Sequence, residues 1–286
     1  MNFIASLFHQ FFSVGSHIET AGPSRCIASV NGYLFYTSTS NFNVVHYNLS
    51  KVKAMNAGGL PPNPLPDTLN LQAVVDICTS PIIPDTLFYL QPHQIGKIVF
   101  SKQTETWTVT DDAETTWSDP TQAQTPNPTS PNSSSSQLPY LGSNRILGAS
   151  QSGRILVGGR DEPRQRNYLC LYDPQTLLMS PDTPTFFEKT DRLQKLLVFE
   201  HRGLEFVCVL DHARHVHLCV LGAGEPNRTE GGDRGRGIKL LPGGIAVVAK
   251  VDTQQAGECF TGFWCANREE ILLGGSEFRM VLKLQF

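Results

Sequence analysis

Two kinds of periodicity divide the chain. From residue 3 to residue 12 the apolar side chains Phe3, Ile4, Leu7, Phe8, Phe11 and Phe12 recur at i, i+3, i+4, i+7 spacing. That spacing lines one side of a helix, and Asn2, Ser6, His9, Gln10 and Ser13 fill the other. Past residue 25 the signal changes to period two, in short β-rich runs bounded by Gly, Pro and Asn. Cys26–Val30, the pair Asn31-Gly32 and Tyr33–Thr37 spell a hairpin, because Asn-Gly suits a tight primed turn. Val44–Leu49 follows as a third strand, and proline keeps the stretch Ala57 to Asp67 out of any ladder.

Four further groups repeat the pattern. The second runs Ala73–Cys78, Thr86–Leu90, Lys97–Ser101 and Thr106–Val109. The third holds Arg145–Ala149, Arg154–Val157, Tyr168–Tyr172 and Leu177–Met179. The fourth holds Lys195–Glu200, Glu205–Leu210 and His215–Leu221. The last comprises Lys239–Leu241, Gly244–Val251, Cys259–Trp264, Glu270–Leu273 and Arg279–Leu284. Between groups, residues 111–139 are rich in Ser, Thr, Pro, Asn and Gln, too polar to bury a core, and read as a disordered insertion. Residues 225–237 read as a second polar loop. With the loops subtracted, the period is roughly 40–50 residues, the range of propeller blades.

Particular stretches carry a resemblance. ILVGGRDEPRQRNYLCLYDPQT, residues 155–176, resembles a kelch-type repeat, with Gly158-Gly159 ending a strand and Tyr-Asp-Pro closing the next. Residues 97–109 look like the end of the same repeat, with Trp107 after a Thr-rich turn, and residues 44–55 are a weaker version. Residues 260–286 are closer to a WD-repeat blade. The resemblance implies a β-propeller without singling out one family. The expectation is therefore an all-β chain: a single β-propeller of five to six four-stranded blades over residues 25–286, preceded by an N-terminal amphipathic helix or strand over residues 1–24. The ring either closes on itself or is left incomplete for a partner to complete, since blades bury their faces only against neighbours.

Composition narrows the function classes. Of 286 residues 40% are hydrophobic and 17% charged, against a usual charged fraction of about 25%. Twenty-three Lys and Arg against 26 Asp and Glu leave a net charge of −3, which argues against a strongly basic nucleic-acid binder. No run of 18 apolar residues is present, so no membrane span is expected. Seven cysteines, an odd number without a Cys-x-x-Cys pair, indicate neither a disulfide framework nor a zinc knuckle. Cys170, Cys208 and Cys219 sit in alternating apolar runs as small buried hydrophobes. A reducing compartment, cytoplasm or nucleus, is the expectation from these thiols, with secretion the lesser alternative.

Candidate chemistry is sparse. Asp211, His212, His215 and His217 form the densest titratable cluster, and a hairpin there would put His215 and His217 on one face. The expected reading is an exposed hairpin tip with a polar strand face; the alternative is a metal site of His212, His215 and His217. There is no Gly-x-Ser-x-Gly elbow and no phosphate-binding glycine loop. The glycines of GGRDE and GGSE read as turn residues needing positive φ. No catalytic residue and no cofactor are expected. The function expected is a non-catalytic scaffold binding protein partners, with Phe3, Leu7, Phe8, Phe11 and Phe12 as candidate partner-binding residues. The alternative is an enzyme or small-molecule binder using the central channel.

Overall fold

In a computed structural model, the structure describes residues 24–38, 44–49, 67–69, 71, 73–91, 94–110, 146–161, 165–180, 183–187, 192–211, 215–222, 244–253, 261–274 and 279–283. They form five antiparallel sheets, each a meander in which consecutive strands are neighbours. Blade 1 is β1 (Ser24–Val30), β2 (Tyr33–Ser38), β3 (Val44–Asn48) and β4 (Asp67–Leu69). Blade 2 is β5 (Asp76–Thr79), β6 (Thr86–Leu90), β7 (Ile95–Ser101) and β8 (Thr106–Thr110). Blade 3 is β9 (Ile146–Ala149), β10 (Ile155–Asp161), β11 (Arg166–Tyr172) and β12 (Thr185–Phe187). Blade 4 is β13 (Leu193–His201), β14 (Leu204–Asp211), β15 (His215–Leu221) and β16 (Ile245–Asp252). Blade 5 has three strands among the described residues, β17 (Thr261–Cys265), β18 (Glu270–Gly274) and β19 (Arg279–Lys283).

Alternation decides which side chains face which neighbour. In β1, Cys26, Ala28 and Val30 pack with Phe35, Val44, Leu87, Tyr89, Ile98 and Trp107, the wall between blades 1 and 2. Phe88, Leu90 and Ile95 meet Ile155, Val157, Tyr168 and Cys170 between blades 2 and 3. Leu156, Leu169, Leu171 and Phe187 meet Val207, Val209, Cys219 and Leu221 between blades 3 and 4. Phe199, Phe206, Cys208, Leu210, Val216 and Val220 meet Trp264, Ile271 and Leu273 between blades 4 and 5. Every central strand is thus apolar on both faces, so the middle blades read as near-continuous hydrophobic runs. The first strands pack in series, β1 on β5, β5 on β9, β9 on β13 and β13 on β17. They are therefore the inner strands, and the later strands of each blade radiate outward.

The expected strands are largely where the alternation puts them, with four corrections. Leu177–Met179 is no strand: Met179 makes one isolated bridge to Tyr172, and the fourth strand of blade 3 is β12. Leu177 lies in a turn with φ of 56°, where the chain reverses after Asp173. Gly244–Val251 is the outer strand of blade 4 rather than part of the last group, because β16 pairs with β15. Asp67, placed at the end of a proline loop, begins β4, a three-residue strand paired with β3. Gly158 and Gly159 lie inside β10 and have no positive φ. They are needed for close approach instead. A Cβ on Gly158 would stand 2.7 Å from Ile146 Cγ1 and 3.1 Å from Leu193 Cδ1 of blade 4, and one on Gly159 would collide with the Tyr168 ring lying across it. The Asn31-Gly32 hairpin forms as expected, with φ of 52° and 72°, the pair of left-handed residues that a primed turn requires. The N-terminal amphipathic segment, the insertion at 111–139 and the loop at 225–237 lie outside the described residues.

Candidate interaction surface

A meander puts the connections after first and third strands on one side of the ring, here called the turn face. The inner turns of this face are tied to one another across successive blades. Asn31, in the turn of blade 1, hydrogen-bonds Asp85 in that of blade 2, and Lys102 Nζ stands 2.9 Å from the same carboxylate. Lys102 and Asn31 together hold the Asp85 carboxyl below the usual carboxylate range. From blade 2, Ser80 donates its hydroxyl to the carbonyl of Gly153 in blade 3 at 3.2 Å. From blade 3, the Ser152 amide and hydroxyl donate to Glu205 in blade 4 at 2.8 and 2.6 Å, with Arg154 Nη2 3.6 Å away. From blade 4, Arg202 donates to Glu269 of blade 5 at 3.2 Å, with His201 Nε2 at 3.6 Å. The belt so joins blade 1 to blade 5 in four steps.

Three exposed apolar side chains stand on this same face. Ile82, in the β5–β6 turn, is 56% exposed; Leu178, in the β11–β12 connection, is 56% exposed; Leu204, at the start of β14, is 45% exposed. Ile82 lies over Gly153 of the next blade, which is held at φ of 87°, so a Cβ there would strike the isoleucine. Large apolar groups at turn tips lose free energy to water unless something covers them. The charged side chains beside them, Lys102, Arg202 and Glu269, are half or more exposed or nearly so. The sequence signal that would have found Ile82 is an isoleucine pair between prolines in a turn, Pro81 to Pro84, where no ladder can bury both.

The histidine cluster is not an exposed tip. Asp211 and His217 are buried, and His217 packs on Phe187 of blade 3 with ring centroids 5.1 Å apart. Asp211 Oδ1 accepts the His215 amide at 2.8 Å, and Oδ2 stands 2.9 Å from His215 Nδ1 and 3.8 Å from His217 Nε2. The two imidazoles do share a face, as the alternation predicted, while Val216 and Val220 turn to blade 5. The polar face is buried because it lies in the wall between blades 3 and 4, which local spacing does not reveal. His212 lies outside the described residues, and among the described residues no group of three His, Cys, Asp or Glu is placed to hold a metal ion. Phe3, Leu7, Phe8, Phe11 and Phe12 also lie outside them. Among the described residues no helix is long and apolar enough to cross a membrane.

The thiols expected in the core are there. Cys170, Cys208 and Cys219 are buried and free. Burial pushes the Cys219 thiol up to about 12 and those of Cys170 and Cys208 well above the ordinary range. Such thiols are poor nucleophiles, so they act as packing groups.

Among the described residues, neither the belt nor an apolar wall is seen between blade 5 and blade 1. No packing comparable to that of the other first strands joins β17 to β1 among the described residues. Blade 1 turns Ile27, Tyr36, Val45 and Tyr47 away from blade 2. Ile27 is 66% exposed, whereas Tyr36, Val45 and Tyr47 are buried and form a small cluster of their own. Blade 5 turns Leu272 and Val281, paired in register, away from blade 4, with Val281 52% exposed. Beside them Lys283 stands 3.5 Å from Glu270. The boundary between blades 5 and 1 is here called the seam.

No protein-family model matches the sequence, and no curated protein matches it. Solved structures do resemble the fold. A protein from Lactobacillus plantarum is 10% identical, with a TM-score of 0.55 over 94% of this chain and 70% of its own. KlAtg21, in complex with the coiled-coil of AgAtg16, is 6% identical, with a TM-score of 0.50 over 94% of this chain and 69% of its own. The β-propeller domain of Myceliophteria thermophila Cps50 (Swd1) is 11% identical, with a TM-score of 0.48 over 90% and 72%. At such identities the likeness concerns the fold alone, and that fold, all-β with blades packed about a common axis, is the β-propeller.

Proposed function

We propose that this propeller is a non-catalytic scaffold that holds a protein partner on its turn face. The observation that carries the reading is the placement of Ile82, Leu178 and Leu204, exposed apolar groups from three successive blades, on one side of the blades beside mixed charges. Apolar anchors rimmed by charged side chains are the make-up of a protein interface. A polar belt beneath them fixes the turns, so little ordering is needed when a partner binds. KlAtg21, a structure of similar fold, is in complex with the coiled-coil of AgAtg16.

The test is purification of the tagged full-length chain in mild salt, with mass spectrometry of what co-purifies at fixed stoichiometry. It is run beside Ile82→Asp/Leu204→Asp and, as a control off the face, Val247→Asp on β16. The expected result is a stoichiometric protein lost from the double variant and kept by the control, with all three chains folded. A partner indifferent to Ile82 and Leu204, or a clean monomer carrying a small molecule or metal, overturns the reading.

A further inference from the structure

The first link of the belt is made by a side chain that can change its own chemistry. Asn31 is followed by Gly32, the one Asn-Gly pair in the sequence, and both residues are exposed in the β1–β2 turn. The turn leaves the Asn31 side-chain amide open to attack by the main-chain nitrogen that follows it. Gly32 has no Cβ to crowd that nitrogen, and beyond its chain neighbours no heavy atom stands within 4 Å of where a Cβ would be. The Gly32 N–H makes no hydrogen bond among the described residues. The hairpin is closed by Val30 opposite Tyr33, and it is the Gly32 carbonyl that is used, accepting the Leu49 N–H at 2.8 Å.

What Asn31 does in the belt depends on its being an amide. Its Nδ2 donates to Asp85 Oδ1 of blade 2, and Lys102 Nζ stands 2.9 Å from the other oxygen of the same carboxylate. A carboxylate at position 31 has no proton to donate. It would set a second negative charge against Asp85, with one lysine between the two. The Asp85 main chain carries the blade 2 turn in its own right, since its carbonyl accepts the Phe100 N–H at 2.8 Å.

We propose that Asn31-Gly32 is a self-modifying site, at which deamidation of Asn31 uncouples blade 1 from blade 2 on the turn face. The Gly32 nitrogen attacks Asn31 Cγ. A C–N bond forms, the Cγ–Nδ2 bond breaks, and ammonia leaves with the proton from Gly32. Water then opens the five-membered imide, and no oxidant or cofactor is needed. Opening at Cγ gives aspartate. Opening at the main-chain carbonyl gives isoaspartate, in which the chain runs through Cβ and Cγ and gains one carbon. Aspartate removes the donor to Asp85, and isoaspartate also lengthens a two-residue turn that Val30 and Tyr33 hold in register. The site lies beyond the scaffold reading and requires no partner.

The first test incubates the folded full chain in neutral buffer beside the same chain unfolded in guanidinium chloride. Peptides spanning residues 26–37 are read by mass spectrometry for conversion of amide to acid, and isoaspartate is counted with an isoaspartyl methyltransferase. Asn31 in the folded chain should convert within about tenfold of the unfolded rate, as an exposed turn without a bonded amide implies. Conversion confined to the unfolded sample overturns the proposal. The second test follows Asn31→Asp by hydrogen exchange at the Leu49 and Phe100 amides, which report the two turns. Exchange at both should rise at least about fivefold, as loss of a hydrogen bond and gain of a like charge imply. The swapped pair Asn31→Asp/Asp85→Asn again sets a donor against an acceptor, and asparagine tolerates the φ of 64° at position 85. It should return both amides to the wild-type rate. Unchanged exchange in the single variant, or no recovery in the swap, overturns the proposal. Ile82 and Leu204 are untouched throughout, so failure here is separable from failure of the scaffold reading.

Discussion

The boundary between blades 3 and 4 and the seam between blades 5 and 1 are made from the same material, strands with apolar alternate positions, and they end in opposite states. At the first, Leu169, Leu171 and Phe187 interlock with Val207, Val209 and Cys219. Glycine at 158 lets β13 come close, and Thr185 donates to the carbonyl of Ile245 at 2.9 Å on the outer side. At the second, Ile27 and Val281 face outward. The difference teaches that a blade's apolar face is stabilising only in proportion to what its neighbour supplies, as in any array held by nearest-neighbour interfaces. The end faces of such an array are where a covering segment or a partner gains most.

The comparison can be broken most forcefully from inside the wall. Leu169→Ala removes a fully buried side chain between two blades and should cost about 2–5 kcal/mol of unfolding free energy, read from urea titration. A loss below about 1 kcal/mol would show that blades 3 and 4 are not tightly joined. A smaller effect sharpens the comparison along the belt. Glu205 is largely buried and receives two hydrogen bonds from Ser152, whereas Glu269 is 42% exposed. Glu205→Ala should therefore cost about 1–3 kcal/mol and Glu269→Ala under about 1 kcal/mol. Equal losses would contradict the picture of a belt that weakens toward the seam.

The smallest effect comes from the seam itself. Burial, followed by the hydrogen bond and charge of Tyr36, pushes the Tyr47 hydroxyl up to about 12. An acid whose folded pKa is raised stabilises the fold in full while the unfolded hydroxyl, near 10, stays protonated. That contribution is lost as the pH climbs from about 10 toward about 12. The wild type should lose urea resistance across this window, and Tyr47→Phe should lose less. Parallel profiles would show that Tyr47 ionises as freely in the fold as out of it.

Some of this was legible in residue order alone. The Asn31-Gly32 hairpin, β6 at Thr86–Leu90 and the pairing of 204–211 with 215–221 follow from turn chemistry and period two, both of which are local. The shared face of His215 and His217 follows in the same way. That face's burial does not, because it is Phe187, thirty positions upstream, that covers it. Gly158-Gly159 looked like a turn and lies in a strand, since what demands glycine is the close approach of Ile146 and Leu193 at one position and of the Tyr168 ring at the other. Likewise β16 joined the wrong group, because its partner β15 lies across a long polar loop and pairing is a non-local choice.

By itself, then, the sequence determined the all-β class, the repeated strand–turn unit and the absence of catalytic motifs, for alternation and turn propensities act within a few residues. Only the tertiary structure decided that there are five described sheets, that their turns are linked in a belt, and that the His215–His217 face is buried between blades 3 and 4. Each of those depends on which faces meet, and a face meets its neighbour through residues tens of positions away that no local pattern encodes.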